Sequence, residues 1–138
     1  MRYLIVTLLI ALPFFANAQK IARYTSGTPG TADYHEFSFW SDRKILYKKG
    51  TDQSEYNVQF IGVTFYQNEK AMMLQLPDNT TLRALPMEDG RISVSALTGS
   101  FFKMLKWIHD GPKNQKGLCL PCTVDEKEAY SLLKKTYM

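Results

Sequence analysis

Short runs of alternating apolar and polar residues, separated by turn-forming residues, fill the chain from residue 21 to about residue 94. A period of two places every second side chain on the same face of a strand, and regularly spaced turns are typical of an antiparallel meander. The turn-forming segments are residues 26–31, 49–52, 67–70, 77–80 and 88–90. This pattern predicts a mainly β (α+β) fold: six or seven antiparallel strands in a curved sheet or partial barrel, with one or two C-terminal helices.

The longest predicted strand, residues 55–67, changes its apolar face in the middle. The apolar residues before and after the change lie on opposite sides: Tyr56, Val58 and Phe60, then Ile61, Val63 and Phe65. Because side chains alternate strictly along a strand, this change requires either a bulge or burial on both faces. Gly62 is the position at which a bulge costs least, so we expect strong curvature of the sheet there.

After Ser95 the spacing of apolar residues changes to three and four, which is typical of an amphipathic helix. A first helix is therefore predicted around residues 101–108, from Phe101 through Met104 and Leu105 to Ile108, ending at the Gly111-Pro112 pair. A second helix is predicted to begin at Thr123, because Thr123-Val124-Asp125-Glu126 fits a capping box. Three residues form its predicted inward stripe: Ala129, Leu132 and Leu133.

Residues 1–18 have the sequence of a secretory signal peptide. Arg2 supplies a positive start, an apolar run follows it, and Ala16-Asn17-Ala18 is a cleavage sequence of the small-x-small type. The apolar run of residues 3–16 is shorter than the stretch of about 20 residues that crosses a bilayer. We expect cleavage between Ala18 and Gln19, a secreted or periplasmic location, no membrane span in the mature chain, and a single domain of residues 19–138.

The distribution of charge is not typical of a nucleic-acid-binding protein. The chain has 17 Lys and Arg against 13 Asp and Glu, and the two signs alternate along most of its length. Nucleic-acid-binding domains concentrate positive charge on one face instead. The one basic cluster consists of Lys103, Lys106, Lys113 and Lys116, and we interpret it as a solvated helix face. No nucleic-acid partner is predicted.

Cys119-Leu120-Pro121-Cys122 is the motif in this sequence that most clearly indicates a possible chemical role. It precedes the second predicted helix, and a helix N-terminus lowers a thiol pKa, which would suit thiol-disulfide exchange with Cys119 as nucleophile and Cys122 as resolving residue. In an oxidising compartment the two cysteines have only each other as partners, so a structural disulfide between Cys119 and Cys122 is our preferred interpretation. A metal site would need His35, His109 or an acid in addition, and the spacing does not indicate one.

The sequence contains no recognisable nucleophile, metal or cofactor motif outside those cysteines, so we expect a binding protein without catalysis and without a cofactor. The chain has 8 Tyr, 8 Phe and 2 Trp, and aromatic side chains either line pockets or contact partners. The candidate contacts, to a small apolar or aromatic ligand or to a protein, are Trp40, Tyr47, Tyr56 and Tyr66.

Two further interpretations stay open on the sequence. The first is that the chain is an inhibitor or immunity protein that acts on an enzyme in the same compartment. The second concerns Asn79-Thr80-Thr81, a glycosylation sequon on a predicted hairpin tip, which would be used only in a eukaryotic cell. Asn is also a common turn residue in its own right.

Overall fold

A computed structural model of the protein describes residues 18–109 and 125–138, which form eight β-strands and one α-helix. The elements are β1 (Lys20–Ser26), β2 (His35–Trp40), β3 (Ile45–Lys49), β4 (Ser54–Tyr66), β5 (Glu69–Gln75), β6 (Thr81–Pro86), β7 (Arg91–Ala96), β8 (Phe102–Trp107) and α1 (Glu126–Tyr137). Each strand pairs antiparallel with the next, and β8 pairs with β1, so the sheet closes into a barrel. The predicted class is confirmed, but closure takes eight strands rather than six or seven.

Strand β8 shows that the predicted helix around residues 101–108 is wrong. Residues 102–106 pair with β7, and Thr25 and Tyr24 of β1 pair with Lys106 and Trp107. A short apolar run fits either the helical or the strand period, and sequence spacing alone does not distinguish them. The strand is favoured because the edges of β1 and β7 offer main-chain hydrogen bonds that a helix could not use.

Strand β4 confirms the predicted change of face and explains it by a bulge. The register with β5 shifts between Phe60, which lies opposite Leu74, and Gly62, which lies opposite Met73. Gly62 has a φ of 147°, a backbone conformation that residues other than glycine rarely adopt. Residues 54–58 of β4 pair with β3, whereas residues 59–66 pair with β5. β4 therefore exchanges one neighbour for the other along its length.

Helix α1 covers one end of the barrel, which we call the helix end. Ala129, Leu133 and Tyr137 are buried in the same apolar cluster as the inward side chains of the strands. The Tyr137 ring packs edge-on against Phe39 and Phe60, with centroid distances of 5.9 and 5.2 Å. The start of the helix lies on the β6–β7 turn, since a Cβ on Gly90 would come within 2.9 Å of Glu126.

The helix begins later than the capping box predicts. Asp125 is its N-cap, and the Asp125 carboxylate accepts a hydrogen bond of 2.8 Å from the main-chain N–H of Glu128. Thr123, the predicted cap, lies outside the described residues. The predicted stripe is confirmed, because Ala129 and Leu133 are buried and Leu132 packs partly against the core. Within residues 18–109 and 125–138, no helix is long and apolar enough to cross a membrane.

Candidate functional site

A cavity of about 130 Å³ lies at the end of the barrel opposite α1, which we call the pocket end. Successive turns of an up-and-down barrel alternate between its two ends, so the end of β3, the start of β4 and the β5–β6 turn meet there. The residues that line the cavity are Tyr47, Lys49, Tyr56, Leu76, Pro77 and Asp78. A closed apolar cavity of about 150 Å³ holds benzene, so the volume of this open pocket is close to that of a single ring.

Tyr47 forms the inner wall of the pocket and is held by aromatic neighbours on both adjacent strands. It is buried, and it lies cross-strand from Phe37 on β2 and from Tyr56 on β4. Its ring stacks on Phe37 at a centroid distance of 4.4 Å and lies 6.2 Å from the ring of Tyr56. Burial raises the pKa of Tyr47 to about 12, so its hydroxyl stays protonated at neutral pH.

His35 lies against Tyr47 at the start of β2. The two rings stack at 5.9 Å with an interplanar angle of 7°, and His35 Nδ1 lies 2.5 Å from the Tyr47 hydroxyl, with which it shares a hydrogen bond. Phe101 packs edge-on against the imidazole, at a centroid distance of 5.8 Å. Burial lowers the pKa of His35, and the positive charges of Lys103 and Lys49 lower it further. A neutral imidazole therefore completes the support of the pocket wall at neutral pH.

The rim of the pocket carries one positive and one negative charge. The Lys49 ammonium lies over the Tyr56 ring, 5.4 Å from its centroid. Hydrogen bonds from the side chain and the main-chain N–H of Thr80 lower the pKa of Asp78, and the charge of Lys49 contributes in the same direction. Apolar walls with an ammonium and a carboxylate at the rim suit a ligand that combines a ring with polar groups.

A polar groove of about 540 Å³ continues from the pocket and shares Tyr56, Leu76 and Pro77 with it. It lies where β4 and β5 separate, because their pairing begins only at Gln59 and Gln75. The other lining residues are mostly amides: Asn57, Gln59, Gln75 and Asn79, with Glu55. The groove therefore offers hydrogen-bond donors and acceptors next to the apolar pocket.

The four predicted contact residues do not form one site. Tyr47 and Tyr56 line the pocket, whereas Trp40 lies at the helix end, with the ammonium groups of Lys20 and Lys44 at 5.0 and 5.3 Å from its ring. Tyr66 lies at the far end of β4, where the Arg83 guanidinium is 4.0 Å from its ring. The pocket also uses Lys49, Leu76, Pro77 and Asp78, which the sequence analysis did not select.

The remaining candidates have mixed outcomes. Asn79 is exposed at the predicted turn with a φ of 69°, as suits a turn residue, and the sequon interpretation stays open. Lys103 and Lys106 lie on strand β8, so the interpretation as a helix face is wrong for them. His109 packs its ring edge-on to Trp107 at 5.9 Å. Residues 1–17, Lys113, Lys116, Cys119 and Cys122 lie outside the described residues, and the described ranges contain no cluster of three metal-ligating side chains.

Comparison of the chain with known protein families, with curated proteins and with solved structures finds no match. Its class is therefore defined by its own fold and site. The chain is a closed antiparallel barrel of eight strands in chain order, covered by a helix at one end and with a ring-sized pocket at the other.

Proposed function

We propose that this chain is an exported binding protein that holds a ring-sized apolar or aromatic group of its ligand in the pocket between Tyr47, Tyr56 and Leu76. The observation that carries the proposal is the cavity of about 130 Å³, with tyrosine rings and Pro77 for walls and a charge pair at its rim. Concave apolar sites with a few polar groups are the usual form of ligand sites. Export rests on the leader-like sequence of residues 1–18.

The pocket is formed before a ligand arrives. Tyr47 is fixed between Phe37, His35 and Tyr56, and its hydroxyl is already engaged by His35. Because these side chains need no reordering, binding does not incur the entropic cost of about 0.5–1.5 kcal/mol per immobilised side chain. The apolar walls of the pocket are thus in place to contact a ring, and the ligand's polar part is left to the rim and the groove.

The chemistry of the rim and groove defines the rest of the ligand. Lys49 and Asp78 present opposite charges to the pocket, and the amides of Asn57 and Gln75 line the groove that continues from it. A ring attached to an amide or to a dipolar group satisfies both regions, whereas a purely aliphatic chain would leave the polar groups without partners.

The experiment is a titration of the purified, isotope-labelled protein with N-acetyl-phenylalaninamide, followed by amide chemical shifts. We expect saturable shifts at Tyr56, Leu76 and Asp78, and little change at Tyr137. N-acetyl-alaninamide, which has no ring, is the matched control ligand. Equal shifts with both compounds, or none with either, would contradict the proposal.

A pair of variants locates the binding. Leu76→Trp fills the cavity with a larger side chain and should abolish the saturable shifts. Tyr66→Ala removes an aromatic ring at the far end of β4, away from the pocket, and should leave the affinity unchanged. If Tyr66→Ala weakens binding and Leu76→Trp does not, the ligand site is elsewhere.

A further inference from the structure

One main-chain edge of strand β4 faces the groove at the pocket end. Residues 54–58 pair with β3 on one side, whereas pairing with β5 on the other side begins only at Gln59. β5 turns away before it reaches this stretch: the Leu76 N–H donates to the Thr80 oxygen at 2.9 Å, and the Leu76 oxygen accepts from the Asn79 N–H at 3.0 Å. In the part of the chain that the structure describes, no other main chain pairs with that side of the stretch.

This edge offers a ligand the main-chain hydrogen bonds of a strand. Successive residues of a strand direct their N–H and C=O groups alternately to its two sides, so two of residues 55–58 direct theirs towards the groove. The groove beside them has a volume of about 540 Å³. Three extended peptide residues span about 10 Å, which is the length of the three consecutive β4 residues that line the groove. The groove therefore has a main-chain edge and room for a short extended segment.

A row of aromatic side chains crosses three adjacent strands and ends at the pocket. Phe37 on β2 lies opposite Tyr47 on β3, and Tyr47 lies opposite Tyr56 on β4. The centroid distances along the row are 4.4 and 6.2 Å. The next position in the row would belong to β5, but the pairing of β5 stops before it, and the pocket lies beside Tyr56 instead. A strand added at this edge would place the side chain opposite Tyr56 in the pocket.

We propose that the ligand is an extended peptide segment with one aromatic residue, which binds as an additional strand antiparallel to β4. Its aromatic side chain lies opposite Tyr56 and continues the row into the pocket. The residues before and after it lie opposite Asn57 and Glu55, whose side chains are exposed, and direct their own side chains away from the barrel. Main-chain hydrogen bonds then supply affinity, and the pocket selects the side chain. This ligand class rests on the proposed function, since it describes what occupies the same pocket.

A peptide matches the site more fully than a free aromatic compound does. A free ring reaches only the pocket, whereas a peptide segment also bonds to the β4 edge and to the side-chain amides of Asn57, Gln59 and Gln75 in the groove. The antiparallel direction is slightly more stable per residue than the parallel one. The two additional residues of a tripeptide should therefore raise the affinity by about tenfold over a single capped residue.

The first test compares three capped compounds by chemical-shift titration of the isotope-labelled protein: N-acetyl-Ala-Phe-Ala-amide, N-acetyl-phenylalaninamide and N-acetyl-Ala-Ala-Ala-amide. We expect the Phe tripeptide to bind about tenfold more tightly than the single residue, and the Ala tripeptide to bind at least tenfold less tightly than the Phe tripeptide. If N-acetyl-phenylalaninamide binds in the pocket but the Phe tripeptide binds no more tightly, strand addition is wrong and the proposed function remains. If neither compound with a ring binds, both are wrong.

Amide hydrogen exchange tests the pairing at the edge itself. Two of the four amides of residues 55–58 face β3 and the other two face the groove, so exchange rates in the free protein should alternate along the stretch. The Phe tripeptide at saturation should slow the two groove-facing amides by about tenfold or more and leave the other two unchanged. N-acetyl-phenylalaninamide is the control and should slow them less. Equal slowing of all four amides, or of none, overturns the proposal.

A charge exchange tests the register and the direction. In the antiparallel pairing the residue after Phe lies opposite Glu55, whose side chain is 54% exposed. N-acetyl-Ala-Phe-Lys-amide should therefore bind about threefold more tightly than N-acetyl-Ala-Phe-Glu-amide, and Glu55→Lys should reverse this preference. Glu69→Lys, at an exposed position at the other end of the barrel, is the matched control and should leave the preference unchanged. A preference that Glu55→Lys does not alter overturns the proposed pairing.

Discussion

The two ends of the barrel are built from similar residues but differ in what fills them. At the helix end the Tyr137 hydroxyl donates a hydrogen bond of 2.9 Å to the main-chain oxygen of Trp40, and Leu133 completes the apolar core. At the pocket end the Tyr47 hydroxyl shares its hydrogen bond with a titratable side chain, His35, and a cavity remains. Aromatic residues thus close the helix end and leave a cavity at the pocket end, where we propose that the ligand binds.

The largest expected effect is on stability, at the helix end. Leu133 is fully buried against the barrel, so Leu133→Ala should lower the free energy of unfolding by about 2–5 kcal/mol, measured by urea denaturation. The partly buried Leu132 is the control, and Leu132→Ala should cost clearly less. If the two losses are equal, α1 does not complete the core in the way the structure indicates.

The next effect is on binding, at the pocket end. Tyr56→Ala removes one wall of the cavity and should weaken binding of N-acetyl-phenylalaninamide by about tenfold or more. Its cost in stability should be smaller than that of Leu133→Ala, because Tyr56 is only half-buried. The Leu133→Ala variant, studied under conditions in which it remains folded, should bind N-acetyl-phenylalaninamide with the same affinity as the wild type. If Leu133→Ala weakens binding more than Tyr56→Ala does, or Tyr56→Ala costs more stability, the helix end is not specialised for stability nor the pocket end for binding.

A smaller effect is expected from the hydroxyl of Tyr137. Tyr137→Phe keeps the ring packed against Phe39 and Phe60 but removes the hydrogen bond to Trp40. The expected loss of stability is about 0.5–1.5 kcal/mol in chemical denaturation, with no change in ligand affinity. If the free energy of unfolding is unchanged, the packing of the ring alone closes the helix end.

The smallest expected effect is a pH dependence of stability. It applies to Tyr47, whose hydroxyl shares a hydrogen bond with His35, and not to Tyr137, whose hydroxyl bonds to the main chain. The pKa of His35 is lowered in the folded protein, so its stabilising contribution is complete above the unfolded value of about 6.5 and is lost as pH falls below it. Unfolding measured at about pH 7.5 and 5.5 should show a loss for the wild type, and His35→Gln should show less, since carboxyl groups titrate mainly at lower pH. An unchanged slope in that variant would remove His35 as the cause.

Much of the fold followed from local patterns in the sequence. The turns at Gly50, at Gln67 and Asn68, and around Asp78 and Asp89 all occur where turn-forming residues predict them. The bulge at Gly62 and the inward stripe of the last helix were also predictable. In each case the residues that determine the local structure are neighbours in the chain, so their spacing is enough to predict it.

Features that depend on distant partners could not be predicted in the same way. Strand β8 is a strand because β1 and β7 are beside it, and its own spacing fits a helix equally well. Tyr47 and Tyr56 could be paired by counting outward from the turn at Gly50, since they lie on one hairpin. Lys49 and Asp78 lie on different hairpins, so their place in the same pocket could not be predicted from the pattern of either hairpin alone.

Strand order that follows chain order has a consequence for how the barrel forms and opens. All the pairings but one join consecutive strands, which need only short loops to close. The exception is the seam between β1 and β8, held by the pairs Tyr24–Trp107 and Thr25–Lys106 and by the 2.9 Å bond from Ile108 N–H to the Arg23 oxygen. We expect this seam to form last in folding, and its amide hydrogens to exchange with solvent sooner than those of the central hairpins.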